Sequence, residues 1–216
     1  MANFSLKKMI FFTVFTITSI AVNYYCSLLA GLIAFPLYLD SIMTIAVTAL
    51  CGLIPAFVCA VSSNILLYFF SNTGILFTFC HISTVIISYL VFRKERNATR
   101  ENTQNFLYSI DSFMWVGFIS AITNSILGDT ISNFLYGANT SIPQVDNAVQ
   151  GIYIITKNLS FAAYFGGTIT NLIDKIFSAL VCFCVYRIVS KIKKNHKNEV
   201  KKEPADIMTE KSTHLA

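Results

Sequence analysis

Asp174 and Lys175 stand side by side within an apolar stretch, Tyr164 to Val189, with Asn171 just before them. On a helix these three sit at i, i+3 and i+4 and share a face. A second set, Asp129, Asn133 and Tyr136, has i, i+4, i+7 spacing in the apolar stretch Phe113 to Tyr136. Carboxylate, ammonium, carboxamide and phenol groups on two helix faces can charge-match and hydrogen-bond a polar solute. They form no catalytic set. The chain has no nucleophile motif, no paired-histidine motif and no phosphate-cradling glycine loop, so an enzyme is not expected. His81 has no second His or Cys near it in sequence to make a metal site, and no cofactor is expected. It reads as a hydrogen-bonded packing residue.

Membrane spans must hold these groups in place. From Met9 to Phe92 the only side chain certain to be charged is Asp40, and His81 is the only other that ionises readily. As helix, that segment is roughly 126 Å long at ~1.5 Å per residue. A hydrocarbon core of about 30 Å would be crossed some four times. With the two later apolar stretches, Phe113 to Tyr136 and Tyr164 to Val189, the expectation is an all-α integral membrane protein, a six-helix bundle in the cell membrane. Charge placement is an independent check, because Lys and Arg in short loops stay on the cytoplasmic side. Lys7 and Lys8, then Arg93, Lys94, Arg96 and Arg100, then Arg187, Lys191, Lys193, Lys194, Lys197, Lys201 and Lys202 form three basic clusters. Four crossings and then two keep all three clusters, and both termini, inside.

Interruptions at Pro36 to Asp40, Gly52 to Pro55 and Ser71 to Gly74 divide the first block. They predict short second and third helices, Asp40 to Leu53 and Pro55 to Phe70, about 21 and 24 Å. Such helices cross only where the protein is locally thin, or are re-entrant. The domain plan is a cytoplasmic N-terminus over 1–8, a membrane domain over 9–190 and a disordered Lys-rich tail over 191–216. The composition agrees: 55% hydrophobic and 12% charged residues, with mean hydropathy +0.62, exclude an ordinary soluble globule. The net charge of +5 lies in the cytoplasmic flanks and speaks to orientation, not to nucleic acid. Lys7-Lys8 followed by an apolar run also fits a secretory signal, but the run is too long and lacks a convincing cleavage site. The six cysteines lie within or at the ends of spans and read as small packing residues.

Laid out by depth, the polar residues gather in the outer half, as a cup open to the outside. Asn23, Tyr24, Tyr25, Asp40, Asn64, His81, Asp129, Asn133, Tyr136, Asn171, Asp174 and Lys175 fall there, with Asn124 near mid-depth. Ionisable groups facing lipid cost a few kcal/mol or more, so these side chains should face the bundle interior or water. Lys175 has a structural alternative, pairing with Asp174, Asp40 or Asp129 to lock helices together. Asn23, Asn64 and Asn124 read as interhelical hydrogen-bonding groups. The connection Gly137 to Asn158, with Asn139, Asp146 and other turn-forming residues, is expected to be a long external loop, either a lid over the cup or a solvated connector. Asp111 and Ser112 read as a helix N-cap, and Tyr108 and Trp115 as an interfacial belt.

The run Pro36-Leu37-Tyr38-Leu39-Asp40-Ser41-Ile42, the segment Tyr136-Gly137-Ala138-Asn139-Thr140 and the run Asp174-Lys175-Ile176-Phe177-Ser178 together resemble the substrate-binding S components of energy-coupling factor (ECF) transporters. The resemblance extends over most of Met9 to Val189. It implies capture of a vitamin or similar organic micronutrient near the outer face, partnership with a transmembrane coupling subunit and two ATPase subunits, and toppling to release the ligand inside. It nominates Asp40, Asn139, Asp174 and Lys175 for the site; the depth pattern adds Asp129, Asn133, Tyr136, Asp146 and Asn171. Many S components dock through small residues spaced by four at the inner end of the first helix, whereas Phe11 to Thr18 here is bulky and Thr-rich. A ligand-sensing membrane module without transport activity would show the same cup. A stand-alone facilitator would need a polar path through the inner leaflet, which the apolar inner halves do not offer.

Overall fold

In a computed structural model the chain is described over residues 6–32, 36–98, 107–138, 140 and 142–213, with side chains described as far as Asn195. All regular structure among the described residues is helical: α1 Leu6–Ala30, α2 Thr44–Cys51, α3 Leu53–Ser71, a 3-10 turn Ile75–Phe77, α4 Thr78–Ala98, α5 Ile110–Leu135, α6 Pro143–Thr156 and α7 Leu159–Thr213. Four of these helices, α1, α3, α4 with its leading 3-10 turn, and α5, are long and apolar enough to cross a membrane. Large apolar side chains such as Ile17, Ile126 and Phe134 point outward, and only a lipid solvent makes that arrangement favourable.

The second helix is shorter than its sequence suggests. Expected from Asp40 to Leu53, it is the eight-residue α2, about 12 Å of helix, preceded by irregular chain and a turn over 36–43. Gly52 separates it from α3. Its φ of +91° lies where only glycine is unstrained, and a Cβ there would meet nothing within 4 Å, so conformation and not space requires the glycine. The third helix is longer than expected. Pro55 does not begin it but sits in its first turn, where the absent N–H costs no hydrogen bond.

Nearly every residue of α2 is buried, as an all-round apolar helix must be. It packs against α1, α3, α4 and α7 at the centre of the bundle. Ile45 and Ala46 join Phe113, Val116, Ala179 and Cys182 in one core cluster. Val47 joins Ala56, Cys59, Ala60 and Val85 in another. Around this centre α5 and α7 form the most extensive helix pair. Their close approach is at Gly117, where a Cβ would come within 2.9 Å of both the Ala179 Cβ and the Lys175 carbonyl.

Described basic side chains of α1, α4 and α7 lie at one end of the bundle. Lys193 of α7 lies 3.6 Å from the ring centroid of Phe11 in α1. At the same end of the chain path, Arg96 donates to the Tyr108 hydroxyl, and the Tyr186 hydroxyl accepts from the Tyr108 N–H at 3.0 Å. Tyr108 is thus buried among Phe92, Phe113 and Tyr186, not part of a belt; its hydroxyl has a partner inside the protein. Trp115 is exposed on the outer surface. The α5 N-cap is Ser109, whose Oγ accepts from the Ser112 N–H at 3.3 Å, in place of the Asp111–Ser112 cap expected.

Two further expectations change. The connection Gly137 to Asn158 is mostly the helix α6, whose Val145 and Val149 turn inward, Val149 joining Ala162 and Ala163 of α7. Of its turn-forming residues, Pro143 and Asn147 are exposed, while Thr140 is buried and Gln144 donates to the Gly31 carbonyl at 2.8 Å. The backbone of α7 continues as helix to Thr213 through the Lys-rich segment read as disordered.

Candidate functional site

The chain between α1 and α2 folds inward, and its backbone amides meet a carboxylate on α7. Asp174 Oδ1 accepts from the N–H groups of Tyr38 at 3.1 Å and Leu39 at 2.8 Å. Leu39 has φ +50°, a left-handed conformation that aims successive amides at one point, the geometry of an anion-binding nest. Asp174 Oδ2 lies 2.8 Å from the Lys175 ammonium. That ammonium also contacts Asp40 Oδ1 at 3.1 Å and donates to Ser41 Oγ at 2.7 Å. A loop and a helix more than 130 residues apart are therefore joined by three charged side chains. With Asp174 fully buried and Lys175 only 3% exposed, removing one partner of such a set costs about 3–5 kcal/mol.

Beneath this trio lies a neutral hydrogen-bonded layer. Asn23 Oδ1 accepts from the Met43 N–H at 2.8 Å, and its amide donates to Thr44 Oγ1 at 3.0 Å. Thr44 Oγ1 is 2.5 Å from His81 Nε2, and the Asn64 amide is 2.6 Å from His81 Nδ1. Asn124 donates to Thr84 Oγ1 at 3.1 Å and accepts from Ser83 Oγ at 2.7 Å. The three asparagines and the histidine thus have the helix-bridging roles their isolation in apolar segments suggests.

A cavity of about 510 Å³, counted with its open mouth, lies against these groups. Tyr38, Asp40, Asn171 and Lys175 line it, with Ser27, Thr73, Phe77, Asn124, Thr140 and Ile142 from five other parts of the chain. Of the sequence candidates, Asp40, Asn171 and Lys175 are in its wall, and Asp174 anchors the loop that carries Tyr38 and Asp40.

The remaining candidates stand elsewhere. Asp129 is buried one residue from Gly128 in the wall; it packs so tightly on Gly167 that a Cβ there would fall 1.9 Å from Oδ1. Asn133 donates to Ser160 Oγ at 3.3 Å, tying α5 to the start of α7. Tyr136 stacks on Phe77 with centroids 5.7 Å apart and covers Gly74. Asp146 accepts from the Thr140 N–H and Oγ1, each at 2.8 Å, and so shapes the entry to α6. Asn139 lies outside the described residues. Sequence reasoning missed Ser41 and Phe77. Ser41 follows Asp40 directly, a signal that was there to use; Phe77 is one apolar residue among many.

No family model, curated protein or solved structure matches this chain. The residues themselves must therefore carry any functional reading. What they can do chemically is hold a small solute by charge, hydrogen bonds and aromatic contact in a cavity that is partly open.

Proposed function

We propose that this protein is the substrate-capture subunit of an ECF-type ABC transporter, binding a vitamin-like organic micronutrient at its extracellular side for ATP-driven uptake. The observation that carries this is the partly open cavity, whose wall brings together Asp40, Asn171 and Lys175 of the nominated residues with aromatic side chains, the mix of apolar surface and a few placed polar groups that small-molecule sites use. The segment 36–51, extended chain and then α2, makes the second of six crossings, because an irregular segment is tolerated at membrane depth when protein surrounds it. Asp174, Lys175 and the Asn23 layer meet its polar groups. With the basic ends of α1, α4 and α7 inside, both termini are cytoplasmic and the cavity opens outward in the cell membrane. The chain does no chemistry of its own, and coupling to ATP comes from a transmembrane subunit and two ATPases.

Affinity capture of the tagged chain from its own membrane in mild detergent tests the assignment. Co-elution of a polytopic coupling subunit and ATPases is expected. Reproducible recovery of the folded chain alone would instead favour a ligand-sensing module.

A further inference from the structure

Of the two charged side chains in the cavity wall, Asp40 and Lys175, only Asp40 has charge to offer a ligand. Lys175 is already committed: Asp174, Asp40 and Ser41 all lie within 3.1 Å of its ammonium, and it is 3% exposed. Asp40 gives Oδ1 to that ammonium yet keeps a fifth of its side chain exposed in the wall, 20%. Asp174 uses the same ammonium and two backbone amides. Two carboxylates therefore share one lysine.

His81 does not offset this excess. The Asn64 amide donates to Ala60 O at 2.9 Å and, at 2.6 Å, to His81 Nδ1. That assigns the ring proton to Nε2, facing Thr44, and a neutral imidazole satisfies both contacts. Unshared negative charge in a low-dielectric site calls for a counter-charge. The same wall contributes the rings of Tyr38 and Phe77, groups that also favour cations, and the carboxamides of Asn124 and Asn171.

From this geometry we infer that the cavity selects an organic cation, a small ring-bearing solute with a protonated amine or quaternary nitrogen, whose charged centre sits at Asp40. The inference rests on the substrate-capture function and names its ligand class. Tyr38 and Phe77 contact the ring, Asn124 and Asn171 orient its polar substituents, and Lys175 holds Asp40 in place without touching the solute.

The test uses the full chain in lipid nanodiscs and three probes of nearly equal size: phenethylamine hydrochloride, phenethyl alcohol and sodium hydrocinnamate. Thermal unfolding over a concentration series of each gives an apparent affinity. Only the ammonium should raise the transition, with affinity about tenfold or more weaker in Asp40→Asn and restored in Asp40→Glu, as for loss of a charge-assisted contact. Equal or better stabilisation by the alcohol or the carboxylate, no stabilisation by any probe, or an ammonium effect that survives Asp40→Asn would each overturn the inference. Should Asp40→Asn not fold, the three-probe series on the native chain decides alone. A cation-selective chain that captures no coupling subunit or ATPase would keep the ligand class and remove the transporter function.

Discussion

Asp174 shows how one side chain serves both fold and site. Its carboxylate accepts from two loop amides and meets Lys175, so it fixes the loop that puts Tyr38 and Asp40 in the cavity wall. Asp174→Asn should lower stability by about 3 kcal/mol and weaken solute binding several-fold, read by thermal unfolding and titration. Asn23→Ala should cost less, about 1 kcal/mol, because neutral hydrogen bonds within a membrane are worth less than a buried ion pair. Equal losses in the two variants would mean that the trio is not the stronger tie. Part of this scale was legible in the sequence: polar residues in apolar segments must face inward, which nominated Asn171, and the family resemblance nominated Asp40, Asp174 and Lys175. Their partners were not. Asp40 and Lys175 are 135 positions apart, and no local spacing distinguishes that pairing from Lys175 with Asp129.

The helices give sharper tests, because backbone packing leaves little room to adjust. Gly167→Ala would drive a Cβ to 1.9 Å from Asp129 Oδ1, and should destabilise by about 1–3 kcal/mol. Gly151, on α6, has nothing within 4 Å of such a Cβ, so Gly151→Ala should be neutral or stabilise by up to about 1 kcal/mol through helix propensity. Unfolding of the two variants side by side checks the α5–α7 contact; matched Tm values would contradict it. Long apolar helices were legible from hydropathy. The length of α2 was not, because an apolar run reads alike whether it is helical throughout or extended first, as at 36–43. In α6 the polar residues Gln144, Asp146 and Asn147 suggested a loop, while the inward stripe at Val145 and Val149 (i, i+4) was the overlooked helical signal.

For the whole molecule, the proposed orientation rests on the basic ends lying together. In a cysteine-free background, Lys94→Cys and Lys193→Cys should react with an impermeant maleimide only in inside-out vesicles, and Asn147→Cys only in right-side-out vesicles. Labelling of Lys94→Cys and Asn147→Cys from the same side would contradict the crossing number. The parity of the basic clusters suggests the proposed topology from sequence alone, but nothing in the sequence showed that the segment 36–51 is half irregular chain.

Substrate capture itself is most directly tested by native mass spectrometry of the chain released from its own membrane under mild conditions. A single vitamin-sized adduct is expected, carried with the coupling subunit and ATPases and reduced several-fold in Asp174→Asn. A folded chain that carries only lipid, alone and reproducibly, would contradict it.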